Sequence, residues 1–247
     1  MPTSFRDPLV KAMKRACEDM LRFSGEPAKR LNAEYLFTVA VAKEIDGLNG
    51  YYGDPYRIHL EKKTREFAQD CLLPVKFGNP LRKGNTSIRN GTPKISRNGR
   101  IDISVYEDIS NNGYLGHQPI CAIELKAFNP ARALVLEDLK RNLEYFSIKG
   151  NTGSSVLGST LFGALHAWPK VGTESEEEIK AENLRSTYVN WLSELTQTPE
   201  IRKTVSVHRI SQDLMGEVID NGEYQEINAD TIHNFVGVVV EFCASGI

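Results

Sequence analysis

The chain has 247 residues, of which 40% are hydrophobic and 25% charged, and its net charge is −2. That is a globular profile, long enough for one large α/β domain and too nearly neutral to coat nucleic acid by bulk charge. Cys17, Cys71, Cys121 and Cys243 are widely spaced with no Cys-x-x-Cys pair, which excludes a zinc ribbon or dithiol redox motif and fits a reducing, cytoplasmic setting.

Residues 1–8 lack the apolar run of a signal peptide, and the late apolar run 235–240 is too short to span a bilayer, so no membrane partner is expected. The spacing of Leu9, Met13, Ala16, Cys17 and Met20 predicts a helix over about 7–23, ended by Ser24-Gly-Glu-Pro27. Asn32 is a good N-cap for a second helix that carries Glu34, Phe37, Val41, Ile45 and Leu48 and stops at Asn49-Gly50. The stretch 56–67 is polar and reads as surface; a helix over about 64–73 follows, closed by Pro74. Between Asp70 and Asp102 there is no acidic residue and there are seven basic ones, so the remainder carries −9. Rich in Gly, Asn and Pro, this basic interval reads as loop or short irregular hairpins. Strands are expected over 99–105 and 119–128, with Asn111-Asn-Gly113 as the turn between them. Asn129-Pro130 opens a helix with the stripe Leu136, Leu139, Leu143 and Phe146, off which Lys140 and Arg141 project. A strand over 159–168 completes a strand–helix–strand unit, whose crossover is right-handed by rule. Ser175-x-x-Glu178 has the capping-box pattern for a helix over 175–198, with Leu184, Tyr188, Trp191 and Leu195 packing on the sheet. Two more strands are expected over 203–210 and 235–242. The chain reads as one domain over 1–247: helices over 1–50, a core over about 51–170 and a C-terminal helix and strands over about 171–247. The five histidines show no paired ligand spacing.

Three charges sit inside apolar runs. Gly99-Arg-Ile-Asp-Ile-Ser-Val105 and Pro119-Ile-Cys-Ala-Ile-Glu-Leu-Lys-Ala-Phe128 read as buried strands, and buried strands rarely carry charges such as Asp102, Glu124 and Lys126 without a reason. Side chains alternate along a strand, so Ile101, Ile103 and Val105 point one way and Asp102 the other, while Ile123 and Leu125 oppose Glu124 and Lys126. Pairing of the strands brings two carboxylates and an ammonium to one side of the sheet. Two hard oxygen ligands suit Mg²⁺ or Mn²⁺, and a lysine beside them can orient water or balance phosphate charge, which is equipment for metal-assisted phosphodiester hydrolysis. The acidic-x-Lys tripeptide also occurs at Glu61/Lys63, Asp138/Lys140 and Glu178/Lys180. The last two fall in helices, where i and i+2 do not share a face, and read as solvated surface. Glu61/Lys63 lies in the polar stretch. Glu124/Lys126 has apolar flanks on both sides and an Asp-bearing strand upstream; its bland reading is a structural ion pair at a sheet end.

Asp102, then roughly twenty residues, then Glu124-x-Lys126 resembles the PD-(D/E)xK nuclease superfamily. The resemblance implies a restriction-endonuclease-like fold, a mixed central β-sheet flanked by helices. It implies that Asp102 and Glu124 bind Mg²⁺ or Mn²⁺ and that Lys126 assists the nucleophile. It covers the motif core and, loosely, the element order from about Asn32 to Trp168, and Ile101 stands where the family motif has proline. An early-helix glutamate of the family carries over to Glu34, with Glu44 as second choice; the helix dipole equally accounts for Glu34 in a first turn. Beside this motif, the basic residues Arg82, Lys83, Arg89, Lys94, Arg97 and Arg100, with Lys140 and Arg141, are placed to grip a phosphate backbone; their plainer reading is a solvated loop and helix face. The resemblance favours DNA over RNA, a role in restriction, defence or repair, and a homodimer whose two-fold axis matches a duplex, none of which the residues themselves decide. Two other classes stay open. One is a non-catalytic nucleic-acid-binding or regulatory subunit that keeps the fold. The other is a hydrolase using Asp102 and Glu124 as an acid–base pair, as glycosidases do, to which Lys126 and the basic run are poorly suited.

Overall fold

The computed structural model describes residues 4–24, 34–77, 86–88, 93–96, 98–108, 117–151, 153–169, 173–195 and 200–244. In chain order these form α1 (Arg6–Ser24), α2 (Glu34–Asp46), α3 (Asn49–Tyr52), β1 (Tyr56–Lys63), α4 (Thr64–Asp70), β2 (Val75–Phe77), β3 (Thr86–Ile88), β4 (Arg100–Asp108) and β5 (His117–Lys126). There follow α5 (Arg132–Glu144), a 3₁₀ turn (Tyr145–Ser147), β6 (Lys149–Gly150), β7 (Gly153–Ser154), β8 (Ser159–Pro169), α6 (Glu174–Ser193), β9 (Ile201–Asp220) and β10 (Gln225–Ala244).

A six-stranded mixed sheet in the order β1-β4-β5-β8-β10-β9 sits between helices, so the architecture is α/β. β4 and β5 are antiparallel, with Ile103 opposite Ile123 and Val105 opposite Cys121. β5 and β8 are parallel, with Glu124 opposite Phe162, and α5 supplies the connection between them. The Asn111–Gly113 turn lies outside the described residues.

Alternation along the strands divides the core between the two faces of the sheet. Leu9, Met13, Ala16 and Met20 of α1 and Phe37, Val41 and Ile45 of α2 cover Ile103, Val105, Ile123, Leu125, Leu161 and Val239. Their three- and four-residue spacing gives each helix an apolar stripe whose removal from water holds it to the sheet. Glycines at the contact let α1 come close: a Cβ at Gly163 would stand 3.2 Å from Leu9 and Met13, and one at Gly237 would stand 2.3 Å from Met13 Sδ. On the other face, Val135, Leu136, Leu139 and Leu143 of α5 and Tyr188 and Leu192 of α6 pack on Phe162, Val238, Val240 and Phe242. A third cluster under α4 joins Phe67, Ile101, Tyr106, Ala122, Tyr145 and Leu157.

Several elements differ from expectation for local reasons. The polar stretch from Tyr56 is an edge strand, β1, antiparallel to β4; it buries little beyond Tyr56, so it carries no apolar alternation. Asn49 does not stop the second helix outright. A short helix follows, and the Asn49 side-chain oxygen accepts the Tyr56 N–H at 2.9 Å. Asn129 does not cap α5, which starts at Arg132 after an extended Ala131. Asn129 instead adopts a left-handed φ of 50°, and its Oδ1 accepts the Ala167 N–H at 3.3 Å. The cap of α6 is Thr173, two residues before Ser175: its side chain accepts the Glu176 N–H at 3.3 Å. β9 and β10 extend well beyond the expected strands as one long hairpin, turning at Gly222 with φ 82°. Among the described residues no helix is long and apolar enough to cross a membrane.

Candidate active site

The β4–β5 ladder runs as far as Ile103 opposite Ile123, and Asp102 and Glu124 are the next residue on each strand. There the Leu125 N–H donates to Asp102 Oδ2 at 2.6 Å. On the other side of β4, Glu61 lies between the pairs Leu60–Ile103 and Lys62–Ile101 and has a left-handed φ of 54°. The pleat is disturbed at this point. Ile103 and Val105 face α1 and α2, but Ile101 packs with Phe67 and Tyr145 on the opposite side. The expected common face for all three is therefore broken at Asp102, which sits at the irregularity.

Glu124 and Lys126 turn toward α5. Arg141 Nη2 lies 2.6 Å from Glu124 Oε2 and 2.9 Å from Asp138 Oδ1. Lys126 Nζ lies 3.1 Å from Asp138 Oδ2 and 3.5 Å from Glu34 Oε1, and it donates to the Leu125 carbonyl at 2.9 Å. Glu34, in the first turn of α2, also accepts the Ala127 N–H through Oε2 at 3.5 Å. Acid and base thus alternate from Glu124 through Arg141, Asp138 and Lys126 to Glu34, with Asp102 beside Lys126. Glu124 is 1% exposed and Asp138 2%. Asp102 and Lys126 are half-buried, and the cluster meets solvent on the Glu34 side.

Four carboxylates share two cations here, and their titration reflects it. Burial pushes the Asp102 carboxyl up to about 6 against the opposing Leu125 N–H and Lys126, with Glu34 and Asp138 adding to the rise. Burial also holds Glu124 well above the usual carboxylate range; Arg141 opposes this, while Asp102 and Asp138 reinforce it. For Lys126, burial disfavours the charge, but Asp138, Glu34 and Asp102 outweigh it and the ammonium is held more firmly than usual. Glu124 Oε1 is buried without a hydrogen-bond partner. A surplus of carboxylate with an unsatisfied buried oxygen is chemically suited to a hard divalent cation. Asp102 and Glu124 would supply two carboxylates and Glu34 stands across Lys126; among the described residues, no group of three or more His, Cys, Asp or Glu side chains is placed to hold a metal ion.

Other candidate residues fall as follows. Glu44 pairs with Arg15 at 2.8 Å, which leaves Glu34 as the α2 glutamate of the cluster. Lys94, Arg100 and Lys140 are exposed, and Arg82, Lys83, Arg89 and Arg97 lie outside the described residues. The basic interval is fastened near the site. Ser96 donates to Glu144 through its N–H at 2.6 Å and its hydroxyl at 2.9 Å, and the Gly99 N–H donates to Thr64 Oγ1 at 3.2 Å. Arg141 does not project from α5 as expected: its guanidinium is buried on Glu124 and Asp138. Asp138, expected on a solvated helix surface, is buried too. It is the residue that sequence reasoning missed, although the signal was there: Val135, Asp138, Leu139 and Asn142 lie at helical spacing on one buried face. His166 is buried against the Tyr188 hydroxyl at 3.0 Å, and His117 lies in β5 and accepts from Arg57, so neither enters the cluster. No protein-family model, curated protein or solved structure matches the chain.

Proposed function

We propose that the chain is a metal-dependent nuclease that hydrolyses phosphodiester bonds, with Asp102, Glu124 and Lys126 as catalytic residues on a restriction-endonuclease-like sheet. The observation that carries this reading is that Asp102 and Glu124, on the adjacent strands β4 and β5, act on each other electrostatically, with Lys126 beside Asp102 and Glu124 Oε1 uncommitted. Asp102 and Glu124, with Glu34, would hold Mg²⁺ or Mn²⁺; such an ion supplies Lewis-acid polarisation and a water of lowered pKa. Lys126, kept charged by Asp138, Glu34 and Asp102, orients the attacking water and balances charge building on the phosphate. Water adds to phosphorus, one bond to a sugar oxygen breaks, and the products are a phosphomonoester and a free hydroxyl. Asp138 is a positioning residue that fixes Lys126 and Arg141 together, and Arg141 favours the ionised form of Glu124. Lys94, Arg100 and Lys140, with Arg82, Lys83, Arg89 and Arg97, are the cations proposed to meet a DNA backbone.

One observation favours a second reading, a nucleic-acid-binding or regulatory subunit without catalysis: Arg141 already places a built-in cation on Glu124 Oε2. Incubating the protein with end-labelled duplex DNA, single-stranded DNA and RNA, in Mg²⁺, Mn²⁺ or EDTA, separates the two. Metal-dependent cutting of any of them supports the nuclease. Binding without cutting, in every metal condition, moves the assignment to the subunit.

A further inference from the structure

α5 runs back along β5, so residues a helical turn apart meet residues two apart on the strand. Asp138 meets Lys126, Arg141 meets Glu124, and Tyr145 lies in the cluster that holds Ala122. Ala122 stands between Ser104 of β4 and Thr160 of β8 in one row across the sheet. Ile103, Val105 and Leu161 face α1 and α2, so alternation turns Ser104 and Thr160 to the α5 face. Asn142 reaches the same place from α5, where its Nδ2 donates to the Leu161 carbonyl at 3.1 Å.

This interface is polar where a core is ordinarily apolar. Ser104, Asn142, Tyr145 and Thr160 are 0% exposed and Glu124 is 1% exposed. Yet Ser104 Oγ, Glu124 Oε1, Arg141 Nε, Asn142 Oδ1, Tyr145 Oη and Thr160 Oγ1 are buried with no hydrogen-bond partner among the described residues. Leaving one such group unpaired is costly, and here they gather between one helix and three adjacent strands. Ser104 and Thr160 are two strand spacings apart, about 10 Å, with only the methyl of Ala122 between them, and Glu124 lies about 7 Å along β5 from Ala122. Short hydroxyl side chains cannot close such separations directly. Tyr145 enters the set as a donor: burial first, and Glu124 next, keep its hydroxyl protonated against the opposing pull of Arg141.

We infer that the α5–sheet interface is an internal water site, in which ordered water joins Tyr145, Ser104, Thr160 and Asn142 to Glu124 Oε1. Water is the ligand that fits, because Arg141 Nε only donates, Asn142 Oδ1 and the Glu124 carboxylate only accept, and each water does both. A cation would meet Arg141, an anion would meet Glu124, and an apolar molecule would leave every one of these groups unpaired. The row of Ser104, Ala122 and Thr160 lies on the side of Glu124 away from Lys126, so the water backs the carboxylate from the interior. A carboxylate oxygen that accepts from water keeps a second lone pair for a metal ion. The inference concerns the folded chain itself and does not rest on the nuclease reading.

The test is a crystal structure of the full chain without metal, at a resolution that shows ordered solvent. Oxygen-17 relaxation dispersion in solution accompanies it and detects water held longer than the protein tumbles. The expected result is water within hydrogen-bond distance of both Glu124 Oε1 and Tyr145 Oη, and a long-lived water signal that is at least halved when Tyr145→Phe and Thr160→Val are combined. Ser186→Ala, on the exposed side of α6, should leave that signal unchanged. The wild-type crystal decides the matter by itself if the double variant does not fold. An interface without ordered water, direct pairing of Tyr145 with Glu124, or an undiminished signal in the folded double variant would each overturn the inference.

Discussion

Arg141→Met isolates the electrostatics on which the candidate site depends. The guanidinium bridges two carboxylates that are 1% and 2% exposed, at 2.6 and 2.9 Å. Methionine keeps much of the apolar stem and the helix propensity, so the change is chiefly loss of charge and hydrogen bonds. Removing one partner of a buried pair costs about 3–5 kcal/mol, because the other charge is left buried. Glu124 can escape part of that by taking up a proton, being already biased toward the neutral form, which places the expected loss near the lower end, about 3 kcal/mol. Urea unfolding in EDTA measures it, with Lys140→Met on the exposed side of the same helix as a control expected to fall within about 0.5 kcal/mol of wild type. Adding Glu124→Gln to Arg141→Met removes the stranded charge and should recover roughly 1–2 kcal/mol as a coupling energy. A loss below about 1 kcal/mol for Arg141→Met, or strictly additive effects in the cycle, would refute the claim that Arg141 neutralises a buried carboxylate pair.

Mg²⁺ should stabilise the wild type in differential scanning calorimetry, by about 2.7 kcal/mol at a hundredfold excess over its dissociation constant, and should leave Asp102→Asn unmoved; an equal gain in the variant would place the ion elsewhere. Burial lowers the His166 imidazole to about 4 from its ordinary 6.5. The folded state therefore resists a proton that the unfolded chain accepts, so stability is full above 6.5 and falls as pH drops toward 4. Between pH 7 and 5 the wild type should lose about 2 kcal/mol more than His166→Gln in denaturant titrations, and parallel curves would contradict this. Gly237→Ala should cost about 1–3 kcal/mol in urea unfolding, because its methyl would meet Met13 Sδ at 2.3 Å and Ile210 at 3.1 Å beneath α1; a neutral outcome would mean that α1 is not seated this closely.

The parts legible in the sequence were those with a strong period or a strong contradiction. α1, α5 and α6 announced themselves by apolar stripes, and Asp102, Glu124 and Lys126 by charge inside apolar strands. Asp138 is hidden in the sequence because Lys140, two places on, lies off its face, whereas its structural neighbours are Val135 and Asn142, a helical turn away on either side. Arg141 is illegible for a related reason: a cation on a helix is a surface residue by default, and only the buried partners Glu124 and Asp138 make it an interior one. β1 was missed because an edge strand with most of its side chains in solvent and a left-handed residue at Glu61 has no alternation to read. The caps of α5 and α6 were misplaced because capping depends on which residue is extended and which side chain is free. Neither is encoded in the Ser-x-x-Glu or Asn-Pro pattern alone.

The most direct test of the proposed chemistry measures Mn²⁺ binding by calorimetry and cleavage of labelled duplex DNA on the same preparations of wild type, Lys126→Ala and Asp102→Asn. If Asp102 and Glu124 hold the ion and Lys126 serves the attacking water, Lys126→Ala keeps Mn²⁺ binding and loses about 10²–10³-fold in cleavage rate, while Asp102→Asn loses both. Wild-type cleavage by Lys126→Ala, or undiminished Mn²⁺ binding by Asp102→Asn, would contradict that division of labour.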